Sequence, residues 1–184
     1  MRCFLNTLLL AVSASFAVAD FVLYVGRTND ITDVGVTFSS SELQVHPHPL
    51  LSCSDMGHVV SISASSNNDA SKGRWACDGC SGLAPRDWAI SRFEMYNRND
   101  AVGHSTDHPI PLFNRATGAV TLYETENGHY DMRDIKNVFL GTCSRPVHPQ
   151  EIDCWQLISA SSFTHVFTCT TDLVPNEGLW VPDI

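Results

Sequence analysis

Phe163-Thr164-His165-Val166-Phe167-Thr168-Cys169 is a run of aromatic and β-branched residues with a period of two and without glycine or proline. That pattern is the signature of a half-buried strand. Upstream, Cys154 to Ile158 (CWQLI) suits a second strand, and Ala160-Ser161-Ser162 supplies a turn between them. A hairpin of this shape sets Cys154 opposite Cys169, where facing Cα atoms lie about 4.5–5.5 Å apart, within the reach of a disulfide. The sequence therefore predicts a Cys154–Cys169 bridge at the outer end of the hairpin.

The rest of the chain is built from similar short runs. Phe21 to Val25 reads as a buried strand ended by Gly26, and Asp33 to Phe38 as a second one after a turn at Asn29-Asp30. His58 to Ala64 alternates in part before the polar tract Ser65 to Lys72, which reads as a loop. Trp88 to Tyr96 and Val138 to Leu140 are strand-like, and Ile110 to Asn114 with Val120 to Thr125 form a hairpin about Ala116-Thr117-Gly118. His148 to Ile158 is ambiguous between helix and strand, because Pro149 opens it as it would a helix. The other helix candidate is a turn or two over His129 to Asn137. The expectation is a mainly β chain: a single compact, disulfide-stabilised antiparallel β domain with little helix.

Residues 1–19, MRCFLNTLLLAVSASFAVA, have a basic start at Arg2, an apolar centre and the small-residue triplet Ala17-Val18-Ala19. This is the anatomy of a secretory signal peptide. Asn6, Thr7, Ser13 and Ser15 interrupt the run of about twenty apolar residues that a membrane span requires. The expected organisation is a signal peptide over 1–19 and one β-rich domain over 20–184, secreted to the extracellular space, with no membrane insertion once the leader is removed. Of eleven Lys and Arg, only Arg2 falls in the leader, so ten face twenty Asp and Glu and the mature net charge is −10. An acidic surface with scattered basic residues repels phosphate backbones, so no nucleic-acid partner is expected.

Six cysteines remain after cleavage: Cys53, Cys77, Cys80, Cys143, Cys154 and Cys169. An even count in an oxidising compartment reads as a disulfide framework, with 15 ways of pairing. Gly73 to Cys80, GRWACDGC, holds two of them three positions apart. A redox couple would need a helix N-terminus to stabilise a thiolate, whereas Asp78 sets a negative charge between the two sulfurs. A zinc site would need a second close pair. Structural bridging is the better reading, with Cys77 and Cys80 taking separate partners.

GRWACDGC, together with Ile90 to Asn97, Met132 to Cys143, the Phe167 to Asp172 segment and the Asp-Phe-x-Leu-Tyr start at Asp20, resembles the layout of small secreted six-cysteine proteins of filamentous ascomycete fungi. The resemblance covers most of the mature chain as a spacing pattern. It implies secretion and a shared bridge framework, and it implies no reaction.

Several residue sets bear on function. His46 and His48, with His104 and His108, have ligand-like spacing, but in Pro-rich loops they read as exposed histidines, and no metal or other cofactor is expected. Glu124, Glu126, Asp131 and Asp134 would serve an extracellular polysaccharide hydrolase only if two of them faced each other across a cleft. No Gly-x-Ser-x-Gly elbow is present, and no catalytic residue is assigned. Of Trp75, Trp88, Trp155 and Trp180, Trp180 in the Pro-bounded tail is the expected exposed ligand contact, as in a lectin-like wall-binding module. The leading expectation is a non-enzymatic extracellular binding role, effector-like, with a protein or glycan partner.

Overall fold

The stretch Phe163–Cys169 lies inside β10 (Ser159–Thr171), near the middle of one ten-stranded antiparallel sheet. The computed structural model describes residues 19–32, 35–58, 61–65, 70, 74–81, 84–97, 112–113, 118–126, 128–155 and 159–175. Before β10 come β1 (Ala19–Thr32), β2 (Gly35–His46), β3 (Ser61–Ser63), β4 (Trp75–Asp78), β5 (Arg92–Asn97), β6 (Gly118–Glu124), β7 (His129–Asp134), β8 (Phe139–Ser144) and β9 (Glu151–Trp155). Two short 3-10 turns, Cys53–His58 and Pro85–Asp87, complete the set, and the described residues contain no α-helix. The mainly antiparallel β architecture is as the sequence indicates.

The sheet runs β3-β2-β1-β10-β8-β7-β6-β5-β4, with β9 pairing the first half of β10 on the edge whose second half pairs β8. Its two ends meet where Ala64, just past β3, bridges Trp75 of β4 in parallel and the Ser65 N–H donates to the Trp75 carbonyl at 2.7 Å. The sheet is thus a nearly closed barrel with its seam between β3 and β4. Inside pack Phe21, Leu23, Leu43, Phe93, Val120, Leu122, Met132 and Phe167, all fully or almost fully buried. Burial of each large apolar side chain contributes about 1.5–3 kcal/mol.

β1 is buried on both faces. Phe21, Leu23 and Val25 enter the barrel, while Val22 and Tyr24 face a second, outer cluster with Leu50 and Phe163. A β-bulge lets β10 follow it: Leu23 pairs Phe167 but Tyr24 pairs His165, leaving Val166 as the extra residue. The bulge shifts the odd-numbered residues of β10 from the outer cluster (Phe163) to the interior (Phe167, Cys169). Tyr24 Oη donates to Gln150 Oε1 (2.9 Å) and accepts from the Leu50 N–H (3.1 Å), and Gln150 Nε2 donates to the Leu50 carbonyl (2.8 Å). This network fastens the chain around Leu50 over the outer face.

Several local expectations are corrected. Gly26 does not end the first strand: Phe163 lies across it, so a Cβ there would collide with the ring, and β1 continues to Thr32. His129–Asp134 is strand β7, because Tyr130 and Met132 alternate inward with period two, and the ambiguous segment contributes strand β9. The partner of β6 is not the segment at 110–114. β6 lies between β5 and β7, while Phe113 makes an isolated bridge with Pro175 and packs on Phe21 at 5.0 Å. Residues 1–18, where the leader was read, and most of the 65–72 tract lie outside the described residues.

The three disulfides also differ from expectation. The hairpin of β9 and β10 exists, but its register sets Cys154 opposite Ser161, close to the turn and far from Cys169. Cys169 instead faces Cys143 of β8 and bonds to it, and Cys154 bonds to Cys53 of the first 3-10 turn. Cys77 and Cys80 bond to each other rather than to separate partners. Gly79 between them has φ +89°, and a Cβ there would overlap the Ala89 carbonyl, so a glycine is what closes this turn and brings the two Cα atoms to 5.6 Å.

Candidate functional site

At the barrel seam a cavity of about 220 Å³ opens beside β4, between Arg27 and Ser41 on one side and Trp75, Trp88 and the Cys77–Cys80 disulfide on the other. Trp75 is the first residue of β4. Its ring stacks on Phe93 (5.3 Å, 16°) and stands tilted to Trp88 at 6.2 Å. Trp88 follows the Pro85–Asp87 turn, which Arg145 holds in place by donating to the carbonyls of Pro85 (3.2 Å), Arg86 (3.1 Å) and Trp88 (3.0 Å). A planar guanidinium suits this task because its five N–H groups form a rigid fork.

The cavity is rich in donors. The Arg27 guanidinium carbon lies 5.4 Å from the Trp88 ring centroid, a cation–π distance, and partial burial lowers the guanidinium's pKa. Trp75 and Trp88 are 5% and 6% exposed, and their indole N–H groups have no hydrogen-bond partner. A buried unsatisfied donor costs about 1–3 kcal/mol, and both of these are closed off from solvent behind the cavity wall. No acidic residue occurs among the described residues that line it. Asp78, in the disulfide turn, is held by Arg92 at 2.9 Å.

A second depression, of about 380 Å³, lies behind the same turn, with Glu124, Tyr130, Arg145, Arg86 and Val147 on its walls. Tyr130 Oη donates to the Ile90 carbonyl at 2.7 Å; burial raises its pKa, and the Glu124 charge adds to the rise. Burial lowers that of Arg145, with Tyr130 and Glu124 opposing the shift.

The four acids read as possible catalysts are not gathered in either place. Glu124 pairs across the ladder with the inward Tyr130, whereas Asp131 pairs with the exposed Tyr123, so alternation sets the two on opposite faces. Asp131 accepts from Arg133 at 2.8 Å, and Asp134 Oδ1 accepts the N–H groups of Lys136 and Val138 at 2.8 Å each, closing the β7–β8 turn. Glu126 lies exposed in the turn after β6.

Of the histidines, His46 is buried and His48 exposed, while His104 and His108 lie outside the described residues. No group of three His, Cys, Asp or Glu able to hold a metal occurs among the described residues. Trp180 also lies outside them. Trp155, at the end of β9, is 76% exposed, a surface aromatic that the sequence reading passed over in favour of the tail. Its place in an alternating e-i-e strand carried the signal, since Trp155 shares a face with Glu151 and Asp153. Nothing local in the sequence pairs Trp75 with Trp88, which the strand order and the Pro85–Asp87 turn bring together.

Comparison with protein families, curated proteins and solved structures finds no match to this chain. No helix among the described residues is long and apolar enough to cross a membrane.

Proposed function

We propose that this chain is an extracellular, disulfide-stabilised binding protein without catalytic activity, belonging with the small secreted fungal proteins its cysteine spacing resembles and acting as an effector-like binder of glycan. The observation that carries the reading is the seam cavity, where two tryptophans and an arginine line a space free of described carboxylates. Flat indole faces and a few oriented donors are what a small polar ring requires. Three disulfides fit an oxidising destination and stiffen the scaffold that presents the site. The dispersed acids give no support to a paired-carboxylate hydrolase.

The test is incubation of the purified mature protein with a panel of insoluble wall polysaccharides. Retention on at least one, without released sugar and reduced by Trp88→Phe, is the expected result. Release of sugar would overturn the non-catalytic reading, and absence of retention on every polysaccharide would overturn glycan binding.

A further inference from the structure

We infer that β9 is a docking edge for an extended peptide segment with basic residues at alternate positions, which joins the sheet as a further strand. Among the described residues β9 pairs with β10 alone, so its other side is a sheet edge. The His165 N–H donates to the Gln150 carbonyl at 2.8 Å. Successive residues of an antiparallel ladder turn their N–H and C=O groups to opposite sides. Ile152 and Cys154, in phase with Gln150, therefore face β10, and Glu151, Asp153 and Trp155 turn theirs to the open edge. Their side chains share one face of the strand, and all three residues are exposed. The Cys53–Cys154 disulfide and Met56 lie on the other face, with Ile152 and the outer cluster, and reach the edge only where the Cys53 sulfur stands 3.5 Å from the Asp153 carbonyl.

Charge selects the occupant. Glu151 is bound to Arg86 at 2.9 Å, whereas Asp153 has no ion pair among the described residues. A second copy of β9 is a poor occupant: antiparallel pairing centred on Asp153 sets that carboxylate against its own copy, and parallel pairing in register adds Glu151 against Glu151. A basic side chain opposite Asp153 gains an opposite-charge cross-strand pair instead. The next basic residue on that face, two positions along, meets the ring of Trp155, which is 76% exposed and open to a cation–π contact. With twenty Asp and Glu against eleven Lys and Arg, the whole chain attracts such a segment. In strand addition main-chain bonds give affinity, and the alternate side chains give the selection. No residue of β9 lines the seam cavity, so this edge acts whatever the cavity holds.

The experiment titrates the purified mature protein into three fluorescein-labelled peptides and follows their anisotropy: one of alternating threonine and lysine, one of alternating threonine and glutamate, and the lysine peptide methylated on every backbone nitrogen, which keeps its charge but cannot donate to a ladder. The lysine peptide is expected to bind saturably and at least tenfold tighter than either of the others. Asp153→Asn and Trp155→Ala should each weaken it several-fold, whereas Asp172→Asn, which removes an exposed carboxylate beyond the end of β10, should leave it within twofold. Thermal unfolding checks that each variant is folded, and the wild-type ranking of the three peptides decides the matter alone should a variant fail to fold. Equal binding of the methylated peptide would refute strand addition in favour of charge attraction, as would an equal loss from Asp172→Asn. No saturable binding of the lysine peptide would refute the docking edge outright.

Discussion

His46 should make the protein lose stability on mild acidification. Its imidazole is 2% exposed, with Nε2 3.0 Å from Gln44 Oε1, and Gln44 in turn donates to Glu42 at 3.0 Å. Burial is the main cause that lowers its pKa from 6.5 to about 4; His48 acts in the same direction and Asp55 against it. The folded value lies below the unfolded one, so the unfolded chain takes up the proton first. Stability is complete above pH 6.5, falls as the pH drops towards 4, and falls no further from this group below that. The full loss is about 3 kcal/mol, of which about 2 kcal/mol is gone by pH 5. His165, stacked on Tyr24 at 5.2 Å, has its pKa lowered by burial against an opposing bond to the Phe167 carbonyl, and contributes in the same direction. Urea unfolding of the wild type and of His46→Gln at pH 7 and pH 5 isolates the effect, because carboxylates and His165 are common to both. The wild type should lose about 2 kcal/mol more than the variant over this interval. A difference below about 0.5 kcal/mol would refute the assignment of a buried, neutral imidazole.

The three disulfides should rank by the loop each closes. In the chain-entropy account, pairwise replacement by alanine costs about 4.7 kcal/mol for Cys53–Cys154, about 3.5 for Cys143–Cys169 and about 2 for Cys77–Cys80, whose sequence separations are 101, 26 and 3. Unfolding midpoints of the three double variants check the order, and a Cys77–Cys80 loss equal to that of Cys53–Cys154 would contradict it. Arg145→Ala should cost at least about 2 kcal/mol, since hydrogen bonds from a charged donor are worth about 1.5–3 kcal/mol, and three carbonyls around Trp88 lose this one. The tryptophan emission should shift to the red as Trp88 loosens; an unchanged midpoint and spectrum would refute the positioning role.

The β character of the chain was readable because Phe163–Cys169, Phe21–Val25 and Val120–Leu122 carry alternation or apolar runs that survive without context. The cysteine pairing was not readable, because it depends on register. A shift of eight residues in the β9–β10 ladder moves Cys154 from beside Cys169 to beside Ser161, and no local preference fixes that shift. The β7 strand was hidden by its polar content, since His129, Asp131, Arg133 and Asp134 suggested a solvated helix while only Tyr130 and Met132 reported the strand period. The candidate site was legible as residue types, in the tryptophans and the Cys-Asp-Gly-Cys turn. It was illegible as a place, because the barrel seam joins Arg27, Ser41, Ala64 and Trp75 from four separate segments.

The pairing of β1 with β10 sets Asp20 against Thr170, so the two ends of the described chain form the centre of the barrel. No amino-terminal fragment can assemble that centre ahead of the last strand, and Cys53 must wait 101 residues for the sulfur it joins. Cys77 and Cys80, three residues apart, can join locally, whereas the β1–β10 pairing and the Cys53–Cys154 bridge are long-range contacts whose closure comes late in folding.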